Sequence, residues 1–198
     1  MVAVGHTEAD LETTRAALDA GARILTHVFN AMPGIHHRDP GPVVAGIDDA
    51  RVTLELVLDG HHVHPQVADM VFRAAPGRVA LITDSMAAAA SEDGHYRLGS
   101  LNVSVQDGLA VLSGTSTLAG STLTQDAALR NAVAMAGRTR TEAVAALTAV
   151  PARALGLDDR LGLLAPGYAA DVVALDPDLG VRAVWAAGAP VVTAPSVA

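Results

Sequence analysis

The chain contains no cysteine and no lysine. Without cysteine it has no disulfide, no thiolate nucleophile and no cysteine-ligated zinc. Without lysine it has no Schiff-base chemistry, no phosphate-loop lysine and no carboxylated-lysine bridge between metals. All thirteen basic residues are therefore arginine. Aromatics are only 3% of the sequence, so any core must be assembled mainly from Ala, Val and Leu. No apolar run of roughly 18 residues is present, and no basic stretch leads into an apolar one, which argues against a membrane span or a secretory leader. The formal net charge of −8 leaves no cationic surplus for phosphate neutralisation, which argues against a nucleic-acid partner. A protein of the cytoplasm is expected, with neither nucleic acid nor membrane as partner.

What is there supports a large core: 51% of the 198 residues are apolar. Catalysis is left to His, Asp, Glu, Ser and Arg. The histidines are unevenly spread and concentrate from His27 to His64.

Residues 1–5 read as a short buried strand ending at His6. Thr7 is expected to cap a helix, with Asp10 three residues on and Leu11, Thr14 and Leu18 on its inner face. Gly21 suits the position just past its end. Residues 23–26 form a second strand ending at His27, which completes a β-α-β unit of the kind that builds parallel sheets. A strand over 52–58 ends at Asp59-Gly60-His61-His62, a helix over 65–75 starts at Pro65, and a strand over 78–83 ends at Asp84. Four strands thus each finish on an ionisable group. In a (β/α)8 barrel the catalytic residues sit at that end of the strands, so four such strands make half a barrel. Beyond Asp84 the texture changes. Hairpins are expected over 96–112, helices over 123–136 and 141–155, and short strands with turns over 160–193.

His6 and His27 stand 21 residues apart at matched strand ends. Neighbouring strands lie about 4.8 Å apart, so two imidazoles there can share one ion. Asp84, directly after an apolar strand, can take a proton from an attacking water and return it to a leaving amine. Taken singly, a strand-end histidine is more often solvated or packed, and an aspartate after a strand is more often a cap. The matched trio is what favours a site.

Several motifs stand in one order: His6-Thr7, Thr26-His27-Val28-Phe29-Asn30-Ala31-Met32-Pro33, Arg38-Asp39-Pro40-Gly41, Asp59-Gly60-His61-His62-Val63, Thr83-Asp84 and Leu118-Ala119-Gly120-Ser121. In order and spacing they resemble the N-acetylglucosamine-6-phosphate deacetylase family. The segment from Arg160 to Asp171 resembles the closing β-sandwich of the wider amidohydrolase superfamily. The resemblance spans essentially the whole chain, and its most specific piece is the stretch around His27 to Pro33. It implies that His6 and His27 bind the metal, after the fifth and sixth barrel strands, and that Asp84 is the catalytic aspartate after the eighth. It implies that His62 orients or polarises the acetamido group, and that Asn30 and Ala31 contact the sugar phosphate. Leu118, Ala119 and Gly120 would form a loop against the substrate. Arg38 would reach the phosphate from the other subunit of a homodimer, and a planar guanidinium suits phosphate oxygens. The implied cofactor is a divalent metal, zinc first, with iron or another divalent ion as alternatives. His61 stands where the family carries an apolar residue, and Ser85 where it carries alanine. His36, His37, His61, His64 and His95 are expected on solvated loops.

The expected fold is α/β: the C-terminal half of a (β/α)8 barrel, strands 5–8, with part of a small β-sandwich. The expected divisions are a half barrel over 1–90, a hairpin insert and substrate loop over 91–122, helices completing the barrel over 123–158, and a partial sandwich over 159–198. The resemblance also implies a metal-completing glutamate on an earlier barrel strand. Glu8, Glu12 and Glu55 fall on the wrong elements to replace it, so this chain alone is expected to be inactive or nearly so. Two other readings stay open: another amidohydrolase, acting on cyclic amides or purines without a phosphate clamp, and a non-catalytic half-barrel fragment that binds no metal.

Overall fold

The computed structural model describes residues 1–193. Strands β1 (Ala3–Val4), β2 (Ile24–Leu25), β3 (Thr53–Val57) and β4 (Val79–Ile82) pair side by side in chain order, all parallel. Helices α1 (Leu11–Asp19), α2 (Gly41–Asp48) and α3 (Pro65–Ala74) connect them. Parallel strands need such crossovers, and their burial explains the apolar sequence of β3 and β4. The register puts Val4, Leu25, Leu54 and Val79 in one row across the sheet. The α2 helix sits directly on this row. A Cβ added at Gly46 would lie 2.2 Å from Leu25 and 2.8 Å from Leu54, so glycine permits the close approach. Thr26 and Glu55 are joined on the sheet by a 2.5 Å hydrogen bond from Thr26 Oγ1 to Glu55 Oε2.

Helix α1 differs from the expected start. Its N-cap is Asp10, whose Oδ1 accepts the Thr13 N–H at 2.8 Å, whereas Thr7 Oγ1 accepts the Ala9 N–H in a local turn. Thr14 and Leu18 are buried as expected, and Gly21 closes the helix at φ +114°. Helix α2 was not legible: its core is Gly-Pro-Val-Val-Ala-Gly, without a polar face at helical spacing. Pro65 opens α3 as expected, and His64 precedes it as N-cap, its Nδ1 accepting from the Gln66 N–H.

Three antiparallel strands follow: β5 (Gly94–Leu98), β6 (Leu101–Gln106) and β7 (Leu109–Leu112). His95 therefore lies on a strand rather than a loop, although it is exposed. Helix α4 (Gln125–Ala134) falls where a helix was expected. The single helix expected over 141–155 is two, α5 (Arg140–Leu147) and α6 (Ala149–Ala154). Proline has no N–H to give the carbonyl four residues back, so Pro151 cannot serve Leu147 O, and the chain breaks at Thr148, with φ −130° and ψ −82°. Thr139 and Glu142 form a reciprocal capping box at the start of α5. Strands β8 (Val172–Leu175), β9 (Val181–Ala186) and β10 (Ala189–Thr193) make a third, antiparallel sheet.

The main core joins the parallel sheet, α1 to α3 and the small residues of α4 and α5, with Leu54, Leu56 and Leu58 fully buried. A second cluster of Met86, Ala88, Val103, Val105, Ala110 and Ala119 lies under β5–β7. No helix of the described residues is long and apolar enough to cross a membrane.

Candidate active site

The polar groups that end the four parallel strands meet in one cavity of about 540 Å³. His6, His27, His62 and Asp84 line it, together with Asn30, Ala31, Leu118, Ala119 and Gly120. Nine of the ten residues singled out from the sequence are thus brought together. Arg38 is the exception. It lies exposed on the loop after β2, with its guanidinium 2.7 Å from His37 Nε2, and does not line this cavity.

His6 and His27 aim at each other. Their Nε2 atoms are 2.9 Å apart, and the rings meet edge to face with centroids 4.7 Å apart. Both residues adopt left-handed backbone, at φ 46° and 28°, and so does Asp84 at φ 51°. This conformation is strained for residues with a Cβ, and it turns each side chain sharply off the end of its strand. His27 is buried, and its Nδ1 finds no hydrogen-bond partner among the described residues. Two imidazole nitrogens converging on one point are the right donors for a divalent cation. Among the described residues, however, no group of three His, Asp or Glu is arranged to hold one. The pair fits a metal in donor type and aim, and supplies two of the three protein ligands typical of catalytic zinc.

The loops are held to each other. Thr7 N donates to Ala31 O at 3.0 Å, which couples the turns that follow β1 and β2. Asn30 Nδ2 donates to the carbonyls of His27 and Val28, each at 3.2 Å, so only the Asn30 carbonyl oxygen is left for a ligand. Asp59 is sequestered after β3. Its Oδ1 accepts the N–H groups of His61 and His62 at 2.8 and 2.9 Å, and its Oδ2 lies 2.6 Å from His62 Nδ1. Burial pushes the Asp59 carboxyl up, but the His62 ring and the two backbone donors outweigh it and bring the pKa down to about 2. His61, in contrast, is exposed.

The segment after β7 closes the fourth side. Ser121 N donates to Asp84 O at 2.8 Å, Met86 N donates to Ser121 O at 2.9 Å, and Ser121 Oγ donates to Thr83 O. Gly120 is at φ +67°, and a Cβ there would lie 3.0 Å from Asp84 O. Leu98, Leu101, Leu112 and Met86 complete an apolar wall.

The sequence reading missed this wall, because Leu98 and Leu101 flank an ordinary hairpin turn. It also missed Asn131 of α4, whose Nδ2 donates to Leu58 O at 2.8 Å and anchors the Asp59 turn from 73 residues away. No local pattern marks such a contact. Ser121 stood inside a quoted motif, but its part in holding Asp84 shows only in three dimensions.

The amidohydrolase family model matches residues 1–195. The chain is 48% identical over 187 residues to the N-acetylgalactosamine-6-phosphate deacetylase of Escherichia coli O157:H7, covering 94% of this chain and 49% of that one. It is 39% identical to the N-acetylglucosamine-6-phosphate deacetylase of Vibrio furnissii, over 94% of this chain and 47% of the relative. Among solved structures, a mutant of the N-acetyl-D-glucosamine-6-phosphate deacetylase of Mycobacterium smegmatis, in complex with N-acetyl-D-glucosamine-6-phosphate, superposes with a TM-score of 0.90 at 48% identity. That match covers 96% of this chain and 51% of the other. The chain spans about half the length of these relatives. It belongs to the amidohydrolase family.

Proposed function

We propose that this chain carries one half of an N-acetylhexosamine-6-phosphate deacetylase, with N-acetylglucosamine 6-phosphate as the substrate. The single observation that carries the reading is the convergence of His6, His27, His62 and Asp84 at the ends of four parallel strands in one cavity. In this reading β1 to β4 are strands 5–8 of a (β/α)8 barrel, residues 91–122 are the hairpin insert and substrate loop, residues 123–158 complete the barrel, and the strands from residue 159 on are part of a β-sandwich.

His6 and His27 would hold a divalent ion, zinc by donor type, with iron or another divalent ion as alternatives. When bound, such an ion acidifies water and polarises a carbonyl. The chain's own residues do the rest. Asp84 takes the proton of the attacking water and gives it to the departing amine. His62 meets the acetamide, and the Asn30 carbonyl oxygen, Ala31 and the Leu118–Gly120 segment position the sugar phosphate. Bond cleavage leaves acetate and the free amino sugar phosphate. Arg38 is exposed and outside its own cavity, which supports the reading in which it clamps the phosphate bound by a second copy in a homodimer. A dianionic sugar phosphate does not cross membranes unaided, so the work belongs in the cytoplasm.

The test joins this chain to the first half of the M. smegmatis relative and measures acetate release from N-acetylglucosamine 6-phosphate and from its galactosamine epimer. Release is expected with the glucosamine substrate, falling about 10²- to 10⁴-fold on Asp84→Asn. A folded, zinc-loaded chimera that releases no acetate from either epimer sinks the proposal. The 198-residue chain alone, with two ligands and so one short of three, is expected near the metal-free control; a rate well above it would show that two histidines suffice.

A further inference from the structure

Asp59 has no place in the chemistry above and does not line the cavity, yet its side chain is closely engaged with His62, which does. Among the described residues its side-chain hydrogen bonds all go to the His61–His62 turn. Oδ1 takes two backbone N–H groups, which fixes the carboxylate plane. Oδ2 is then aimed at His62 Nδ1, 2.6 Å away. The His62 side chain is 4% exposed and that of Asp59 12%. Gly60, between them in the turn, is at φ +87°, and a Cβ there would meet the Met135 side chain at 3.0 Å. The Asn131 contact to Leu58 O holds the turn from the other side. A packed, doubly anchored carboxylate presents a fixed acceptor to one nitrogen of a buried ring.

We infer that Asp59 is a positioning residue: it holds the His62 proton on Nδ1 and so makes Nε2 the nitrogen presented to the substrate. An imidazole has two distinct nitrogens, and the partner of one decides what the other can do. A carboxylate can only accept, so Nδ1 must carry a proton in either charge state of the ring. Neutral His62 then offers a lone pair at Nε2, and protonated His62 offers an N–H there. His27 has no such device, since its Nδ1 is without a partner among the described residues. The inference rests on the reading of His62 as a substrate-facing group, but its test does not need turnover.

Nitrogen-15 NMR of the histidine-labelled chain near neutral pH reports the proton on each ring nitrogen. His62 Nδ1 is expected to be protonated in the native chain. In Asp59→Asn the amide oxygen can still accept both backbone N–H groups, but the amide nitrogen now donates to the ring. The proton is expected to move to Nε2. An unprotonated Nδ1 in the native chain overturns the inference without any variant, and so does an unchanged tautomer in folded Asp59→Asn. In the chimera described above, Asp59→Asn is expected to lower kcat about 10- to 100-fold with KM changed less than about threefold and zinc content unchanged. A loss confined to KM or to metal content would count against positioning. Absence of turnover in every form, with the tautomers as expected, would fail the deacetylase reading and leave this one standing.

Discussion

The parallel sheet and the β5–β7 sheet face the same cavity with opposite chemistry. The parallel layer is buried on a large core and delivers every ionisable group of the site from its strand ends. The β5–β7 sheet rests on a cluster of six buried residues and delivers Leu98, Leu101 and Leu112. Leu98 and Leu101 are 42% and 49% exposed, in contrast to fully buried Leu54 and Leu56. The difference teaches where precision is needed. Groups that move protons or hold ions must be fixed to a fraction of an ångström, and rigid strands provide that. An apolar wall need only exclude water, and a thinly supported hairpin suffices.

The largest test of this contrast is Leu56→Ala, which should cost about 2–5 kcal/mol because the site cannot collapse around so central a cavity. Urea denaturation should show one transition moved to lower concentration; a drop of under 1 kcal/mol would mean that the parallel layer is not the mechanical base of the molecule. Gly120→Ala tests the seam between the two regions. The strained φ and the clash with Asp84 O should cost about 1–3 kcal/mol, read as a lowered thermal midpoint. Acid tests the parallel side from its rim. The Asp59 carboxyl is depressed from 3.8 to about 2, so its contribution is complete above the unfolded value and is lost as pH falls through about 2. That contribution is about 2 kcal/mol. Asp59→Asn should therefore flatten the acid limb of the stability profile between about pH 4 and 2, and an unaltered limb would count against the paired carboxylate. The smallest effect is expected from Leu101→Ser, within about 0.5 kcal/mol of native stability because the side chain is already half in water. A large loss there would show that the hairpin is core after all.

The strand ends were legible because apolar runs stopping at His6, His27, Asp59 and Asp84 carry their meaning in one dimension. The same holds for Gly21 and Pro65, whose roles follow from their own backbone chemistry. Helix α2 escaped because both its faces are apolar. The split between α5 and α6 escaped because Pro151 sits inside an otherwise helical pattern. The expectation that His6 and His27 share a metal came from their matched strand ends and from the family resemblance, and geometry adds their mutual aim. The contacts that hold the site in place, Asn131 to Leu58 and Ser121 to Asp84, join segments that no local pattern connects. Arg38 was legible as an arginine in a motif, but its separation from its own cavity required the fold.

The left-handed backbone at His6, His27 and Asp84 sets stability against use. Each departs from the preferred conformation at a cost of order 1–3 kcal/mol, and each would be relieved by glycine. The three positions to which the proposed chemistry is assigned are thus three positions at which the chain is folded against its own inclination. Glycine at all three would relieve that strain and remove the side chains that the proposed chemistry needs, so a sequence chosen for backbone ease alone would have forgotten what the backbone is for.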